Sequence, residues 1–303
     1  MITEMKKYIL TVILFTAACS VLNAQNTDTK LVLLGTGTPF ADPVKSGPSL
    51  AIVVNNSSYI VDCGPGVVRR AAEASLLGFP SLEAAHLKTL FITHLHSDHT
   101  AGLADIILTP AVLDRNAPIT VYGPVGSKKM TDHLMDAYKE DIAIRINGLE
   151  KGDAIAYQVD TKEIKEGVIY KDSNLTVTAF LVNHGQWDNA FGFLFQTKDK
   201  KIVVSGDCTY SENLIKYAKD CDILVHEVYS YAGLIKRTQR WQDYHSTFHT
   251  STYQLADIAN KVKPKLLILN HQLTFGSSLQ SLLDEVKSKY SGAVVNGADL
   301  DVF

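Results

Sequence analysis

The feature that most constrains this chain is Thr93-His94-Leu95-His96-Ser97-Asp98-His99, reached at the end of the apolar run Leu90-Phe91-Ile92. Four of its seven residues carry metal-binding side chains. On a strand, alternate side chains share a face, so His94 and His96 can aim both imidazoles at one ion. Asp98 and His99 are adjacent, beyond the expected strand end, where a bend can aim them at a second ion beside the first. Imidazole and carboxylate donors without a thiolate suit zinc, with iron or manganese as lesser candidates. A fold that serves this motif must let strand ends converge on one edge, where other donors can join.

Three such donors follow later. His184 comes after a predicted strand over 175–182, Asp207 lies in Ser205-Gly206-Asp207 after a strand over 201–205, and His271 follows a strand over 265–269. The first half of the chain reads as a strand over 31–34, a hairpin over 49–54 and 59–61, and a helix over 67–77. The run to the metal motif comes next, followed by helices over 100–108 and 127–138 flanking a strand over 119–122. Strands are expected over 154–159 and 167–170, and 191–196 pairs with 201–205 in another hairpin. A helix over 211–218 then leads to a strand over 222–225 that ends at His226-Glu227. Residues 230–246 are polar and read as an irregular loop or lid at the mouth of the site. A helix after His249 buries Leu255, Ile258, Ala259 and Val262, another covers 278–290, and strands over 293–295 and 299–303 close the chain. Two successive runs of strands with interleaved helices indicate an α+β fold, two facing sheets with helices outside. Gly35-Thr36-Gly37 lacks the third glycine and the helix of a nucleotide loop, so a tight turn beside the site is expected.

Lys6-Lys7 precede an apolar run over 8–18 and then small and polar residues to Ala24-Gln25. That pattern predicts a secretory signal peptide over 1–24 and a periplasmic or secreted hydrolase domain over 29–303. Ala17-Ala18-Cys19 offers the alternative of a lipoprotein acylated at Cys19, and Met5 is an alternative start. No later segment is long and apolar enough to span a membrane. Removing Glu4, Lys6 and Lys7 with the leader leaves 27 basic and 31 acidic residues, a formal charge of −4. Gripping a long nucleic acid is disfavoured by that balance. The remaining Cys63, Cys208 and Cys221 are too few and irregular for a disulfide framework, although one pair could form in an oxidising compartment.

Taken together, the chain resembles the metallo-β-lactamase superfamily over almost all of residues 30–303. Leu33-Leu34-Gly35-Thr36-Gly37-Thr38-Pro39, Val61-Asp62-Cys63-Gly64, the central motif, Ser205-Gly206-Asp207, His226-Glu227 and His249-Thr250-Ser251 are most similar to the ribonuclease Z branch. The resemblance implies a four-layer αββα sandwich with two zinc ions at one edge and, as in many branch relatives, a homodimer. It assigns His94, His96 and His184 to one ion, Asp98, His99 and His271 to the other, and Asp207 to both. The commonest zinc β-lactamases have Cys at the Asp207 position, and diiron relatives have Glu at the His96 position. Asp98 is then expected to orient an attacking water activated between the ions. The resemblance also implies that His249 acts as general acid or oxyanion stabiliser, oriented by Glu227, with His245 a nearby rival. His86 and His133 have no partner at metal spacing and are expected to be solvated or packed.

The chain departs from ribonuclease Z at two places. Lys45 is followed by Ser46-Gly47 where an Arg-Asn pair is expected, and 150–174 lacks the long, Gly-rich character of an RNA-gripping arm. The expected substrate is therefore a small ester, a phosphodiester first, then a sulfate ester or a lactone. A ribonuclease Z-type endoribonuclease and a non-catalytic zinc-binding protein are the alternatives.

Overall fold

Strand alternation builds the layers. The computed structural model describes residues 28–303, and the predicted leader, with Met5 and Cys19, lies outside them. In β1 (Thr29–Gly35) Leu31 and Leu33 face one way and Val32 and Leu34 the other, all fully buried. A strand buried on both faces belongs inside a layered structure. With β2 (Ser49–Val54), β3 (Ser57–Val61), β4 (Thr89–Phe91), β5 (Ile119–Gly123) and β6 (Val159–Glu163) it forms a six-stranded sheet in chain order. The helices of this half are α1 (Val67–Leu76), α2 (Ser97–Thr100), α3 (Leu103–Val112), α4 (Ser127–Ala137) and α5 (Lys139–Asn147).

The second half supplies β7 (Gly167–Lys171), β8 (Thr176–His184), β9 (Trp187–Gln196), β10 (Lys201–Val204), β11 (Ile223–Tyr229), β12 (Leu266–Leu273) and β13 (Val294–Asn296). They pair side by side in sequence order in a seven-stranded sheet. Its helices are α6 (Glu212–Ala218), α7 (Tyr231–Leu234), α8 (Gln239–Phe248), α9 (Thr252–Val262) and α10 (Leu279–Lys287).

Three apolar layers hold the sheets and helices together. Between the sheets, Leu31, Leu33, Leu50, Ile52 and Phe91 meet Phe191, Phe193, Phe195, Ile202 and Val225. Outside the first sheet, Val32, Ala51 and Ile60 pack on α1 and α3 through Val67, Ala71, Leu103 and Ile106. Outside the second, Leu224 and Leu267 meet Leu214, Leu255, Ile258 and Leu282 of α6, α9 and α10. Each large apolar side chain buried this way contributes about 1.5–3 kcal/mol relative to exposure. Three such layers make the four-layer α+β sandwich that the sequence predicts.

Several boundaries differ from expectation. Residues 154–157 form a 3-10 turn, and the strand expected over 154–159 starts only at Val159. The closing strand over 299–303 is a single bridge, Val302 to Val32. Residues 230–246 are not an irregular loop but carry α7 and most of α8. Among the described residues Cys63, Cys208 and Cys221 are free and buried, so none forms the pair considered above. No helix among the described residues is long and apolar enough to cross a membrane.

Candidate metal centre

Seven side chains meet where the two sheets share an edge. β4 stops at Phe91, so His94 and His96 sit in the loop beyond it rather than on the strand, and α2 carries Asp98 and His99. His184 and His271, expected just past strand ends, lie within strands. His184 is the last residue of β8, before Gly185 at φ 55°. In β12, Asn270 pairs with Glu227 and Gln272 with Val228. The unpaired His271 between them adopts φ 45°, a bulge that turns its side chain into the site. Asp207 follows β10 through Gly206 at φ 61°, where a Cβ would stand 2.7 Å from the Phe191 carbonyl oxygen.

These positions bring His94, His96 and His184 together as one group of donors and Asp98, His99 and His271 as a second. Asp207 joins His94 and His99 in a third group, so it stands between the first two. Within each group the donor atoms lie within 4.8 Å of one another. Fixed partners decide which nitrogen each ring presents. Asp62 Oδ2 is 2.8 Å from His99 Nδ1, and the Phe248 carbonyl is 2.8 Å from His184 Nδ1. An imidazole that donates through Nδ1 presents a lone pair at Nε2.

The donor set fits metal ions better than it fits itself. His94 Nε2 and His184 Nε2 each lie 3.1 Å from His96 Nδ1, and one N–H on His96 can serve only one of them. His99 Nε2 has no hydrogen-bond partner and faces Asp207 Oδ1 at 3.4 Å and Asp98 Oδ2 at 3.5 Å. With His99 neutral and its proton on Nδ1 toward Asp62, the Nε2 lone pair would face those carboxylate oxygens in a buried site, an arrangement that calls for a cation, either a proton on His99 or a metal ion. Trp187 Nε1 lies 2.7 Å from His96 Nε2. A metal held through His96 Nδ1 would leave the ring's proton on Nε2, facing the indole N–H, so the Trp187 contact would have to lengthen.

Burial and neighbouring charges divide the titrating groups. Burial works against the Asp207 carboxylate, yet His271 and His99 hold it well below the usual range. Burial likewise opposes charge on His99, but Asp207 and Asp62 raise it well above an ordinary histidine. His184 is pushed down to about 4, chiefly by burial.

His249 lies at the rim of this group. Its Nδ1 is 3.5 Å from Glu227 Oε1 and 3.8 Å from Asp207 Oδ2 and has no hydrogen-bond partner. It also forms a donor group with Asp207 and His271. Burial lowers His249 to about 4, so it is neutral at physiological pH. Burial and the charge of Asp207 raise Glu227 well above the usual carboxylate range. Glu227 Oε1 accepts from Thr250 N at 2.9 Å and Cys208 N at 3.3 Å, tying the segments after His249 and Asp207 together. His245 joins none of the donor groups; its ring lies 5.5 Å from that of His249. His86 and His133 are exposed and away from the site.

Sequence reasoning gave no role to Asp62, Trp187 or Phe248. Asp62 bonds Thr93 N at 2.8 Å as well as His99, and the nearby motif Val61-Asp62-Cys63-Gly64 was the one signal that could have pointed to it.

A model of the beta-lactamase superfamily domain matches residues 58–272. Ribonuclease Z of Mycolicibacterium gilvum is 30% identical over 247 residues, 80% of this chain and 83% of that protein. Among solved structures, a metallo-beta-lactamase fold protein from Bacillus subtilis superposes with a TM-score of 0.71 at 16% identity, covering 91% of this chain and 99% of that one. The short form of human tRNase Z does so with a TM-score of 0.65 at 21% identity, covering 90% and 98%. These two likenesses concern the fold alone.

Proposed function

The chain belongs to the beta-lactamase superfamily as a ribonuclease Z-like, metal-dependent hydrolase of ester bonds, and from that premise we propose that it is an exported dinuclear zinc enzyme cleaving a small phosphodiester. The observation that carries this reading is the meeting of two three-donor groups at Asp207, with His249 at their rim. His94, His96 and His184 would hold one ion and Asp98, His99 and His271 the other, with Asp207 shared. When bound, such ions lower the pKa of water and polarise an ester oxygen. Burial disfavours the Asp98 carboxylate, but the His271 contact at 3.1 Å keeps it below the usual range. In that ionised state Asp98 orients the attacking water and takes its proton. His249, neutral, offers an N–H to the charge that develops on the ester oxygen. Glu227 positions His249 through the Thr250 backbone rather than touching substrate. The leader pattern over 1–24 supports export, and the mature charge of −4 supports a small substrate.

Endoribonuclease activity is the second reading, favoured by the 30% identity to a ribonuclease Z. The test is turnover of bis(p-nitrophenyl) phosphate, p-nitrophenyl sulfate, a simple lactone and a structured RNA by the mature chain, with metal content measured on the same sample. The expected outcome is phosphodiester hydrolysis that falls about 100-fold or more in His249→Ala at unchanged zinc content. Full turnover in that variant would remove His249 from the mechanism. RNA cleavage with no activity on the small ester would overturn the substrate reading.

A further inference from the structure

A cleft runs from the metal centre along the outside of the molecule. Near Asp98 it is a cavity of about 560 Å³ between Pro65, Ser97 and the loop Gly37 to Lys45. That same loop walls a second cavity of about 770 Å³, whose far side is α8 and the turn after β12. Its lining is aromatic at three points: Phe40 on the loop, Trp241 on α8 and Phe275 on the turn. Phe40 is 81% exposed. What singles it out is its place in a cavity lined by two further aromatic rings, the kind of lining that ligand sites use.

The rings lead inward. Trp241 stacks on His245 with ring centres 5.5 Å apart and planes at 23°, His245 lies 4.5 Å from the Phe275 ring and 5.0 Å from Tyr244, and His249 follows at 5.5 Å. Burial lowers His245 to about 4, which keeps it an uncharged ring at neutral pH. Positive charge flanks this path. Lys45 Nζ donates to Gln272 Oε1 at 3.0 Å, beside His271, and Arg237 stands on the wall near Trp241. Asp42 is the single carboxylate lining the second cavity, and Asp98 joins it in the first. Arg240 lies 5.7 Å from the Trp241 ring centre on an exposed, flexible stem that a ligand ring can displace.

We infer that this cleft selects esters carrying a flat aromatic ring, held between Phe40 and Trp241, with Lys45 and Arg237 facing the ligand's negative charge. The inference rests on the hydrolase reading above and names the substrate class of the same site. The volume suits it, since pockets for compact ligands span about 300–1,000 Å³. A cavity lined by three aromatic rings and two basic side chains, Lys45 and Arg237, accommodates one ring and its ester.

Calorimetric binding to the zinc-loaded protein tests this with methyl phosphate, phenyl phosphate and adenosine monophosphate. Stacking predicts that ring-bearing ligands bind about ten-fold tighter than methyl phosphate. In Phe40→Ala and in Trp241→Ala that advantage should fall to about threefold or less. Phe40 is exposed on a loop, so its replacement tests the ring contact with the fold intact, checked by an unchanged melting temperature. Adenosine monophosphate far tighter than phenyl phosphate would identify the ring as a nucleobase, and equal affinities would identify a simple aryl group; either supports the inference. Equal binding of all three ligands, or an advantage that survives both substitutions, overturns it. Because binding is read without turnover, a protein that keeps the ring preference but hydrolyses no phosphodiester would sink the reaction assignment alone.

Discussion

Asp62 decides which nitrogen of His99 faces the site. Its carboxylate takes Thr93 N with one oxygen and His99 Nδ1 with the other. Asp62→Asn keeps the volume, but an amide N–H turned toward His99 would favour the tautomer with its proton on Nε2, the nitrogen a metal needs free. Zinc affinity measured by chelator competition should fall about 10–100-fold with little change in the circular dichroism spectrum. An unchanged affinity would remove Asp62 from the site. That these seven side chains would meet at one edge was legible in the sequence because His and Asp cluster beside strands that apolar runs mark out. Asp62 was not, because its partner His99 is 37 residues away and only the pairing of β3 with β4 brings them together. The bulge at His271 was hidden for a related reason: no local residue pattern announces that Asn270 and Gln272 pair while His271 does not.

At the scale of elements, α8 is the part that sequence periodicity missed. Its aromatic residues Trp241, Tyr244 and Phe248 recur at helical spacing but turn toward the cleft and the metal centre, and among Arg240, Gln242, Asp243 and Ser246 so short a stripe did not read as a helix. The helix nevertheless has a definite task, since Phe248 at its end gives its carbonyl to His184. Gly185 makes room for it. A Cβ there would lie 2.2 Å from the Phe248 ring, and the backbone is already at φ 55°. Gly185→Ala should therefore push Phe248 off His184, cost about 1–3 kcal/mol of stability and weaken zinc binding about 10-fold or more. Thermal melts with and without zinc check both effects, and a variant as stable and as tightly loaded as the parent would contradict this account. By contrast, α9 was placed closely by sequence, because Leu255, Ile258, Ala259 and Val262 recur at helical spacing; the structure adds a capping box between Ser251 and Gln254 at its start.

For the whole molecule, buried histidines tie stability to pH. His226 lies behind the site, against Cys208 and outside the donor groups, and burial lowers it to about 4 against the raising effect of the Glu227 carbonyl and the Asp207 charge. The unfolded chain takes up its proton near pH 6.5, so between about pH 6.5 and 4 the unfolded state binds more protons and stability falls as pH drops. At pH 5 this one group costs about 2 kcal/mol relative to pH 7. Urea unfolding of the metal-free chain at both pH values should show a drop that shrinks by about that amount in His226→Gln, and an equal drop in both proteins would refute the assignment.

The ligands of each proposed ion come from opposite sides of the sandwich. His94 and His96 follow a strand of the first sheet and His184 ends one of the second, while Asp98 and His99 of α2 meet His271 of β12. Such an ion would work as a clasp, with a residence time set by how often the halves part. Stripping by excess chelator should then speed up with temperature as unfolding does, about 3–6-fold per 10 °C. A shallow dependence would mean that the ion slips out through the cleft while the clasp stays shut.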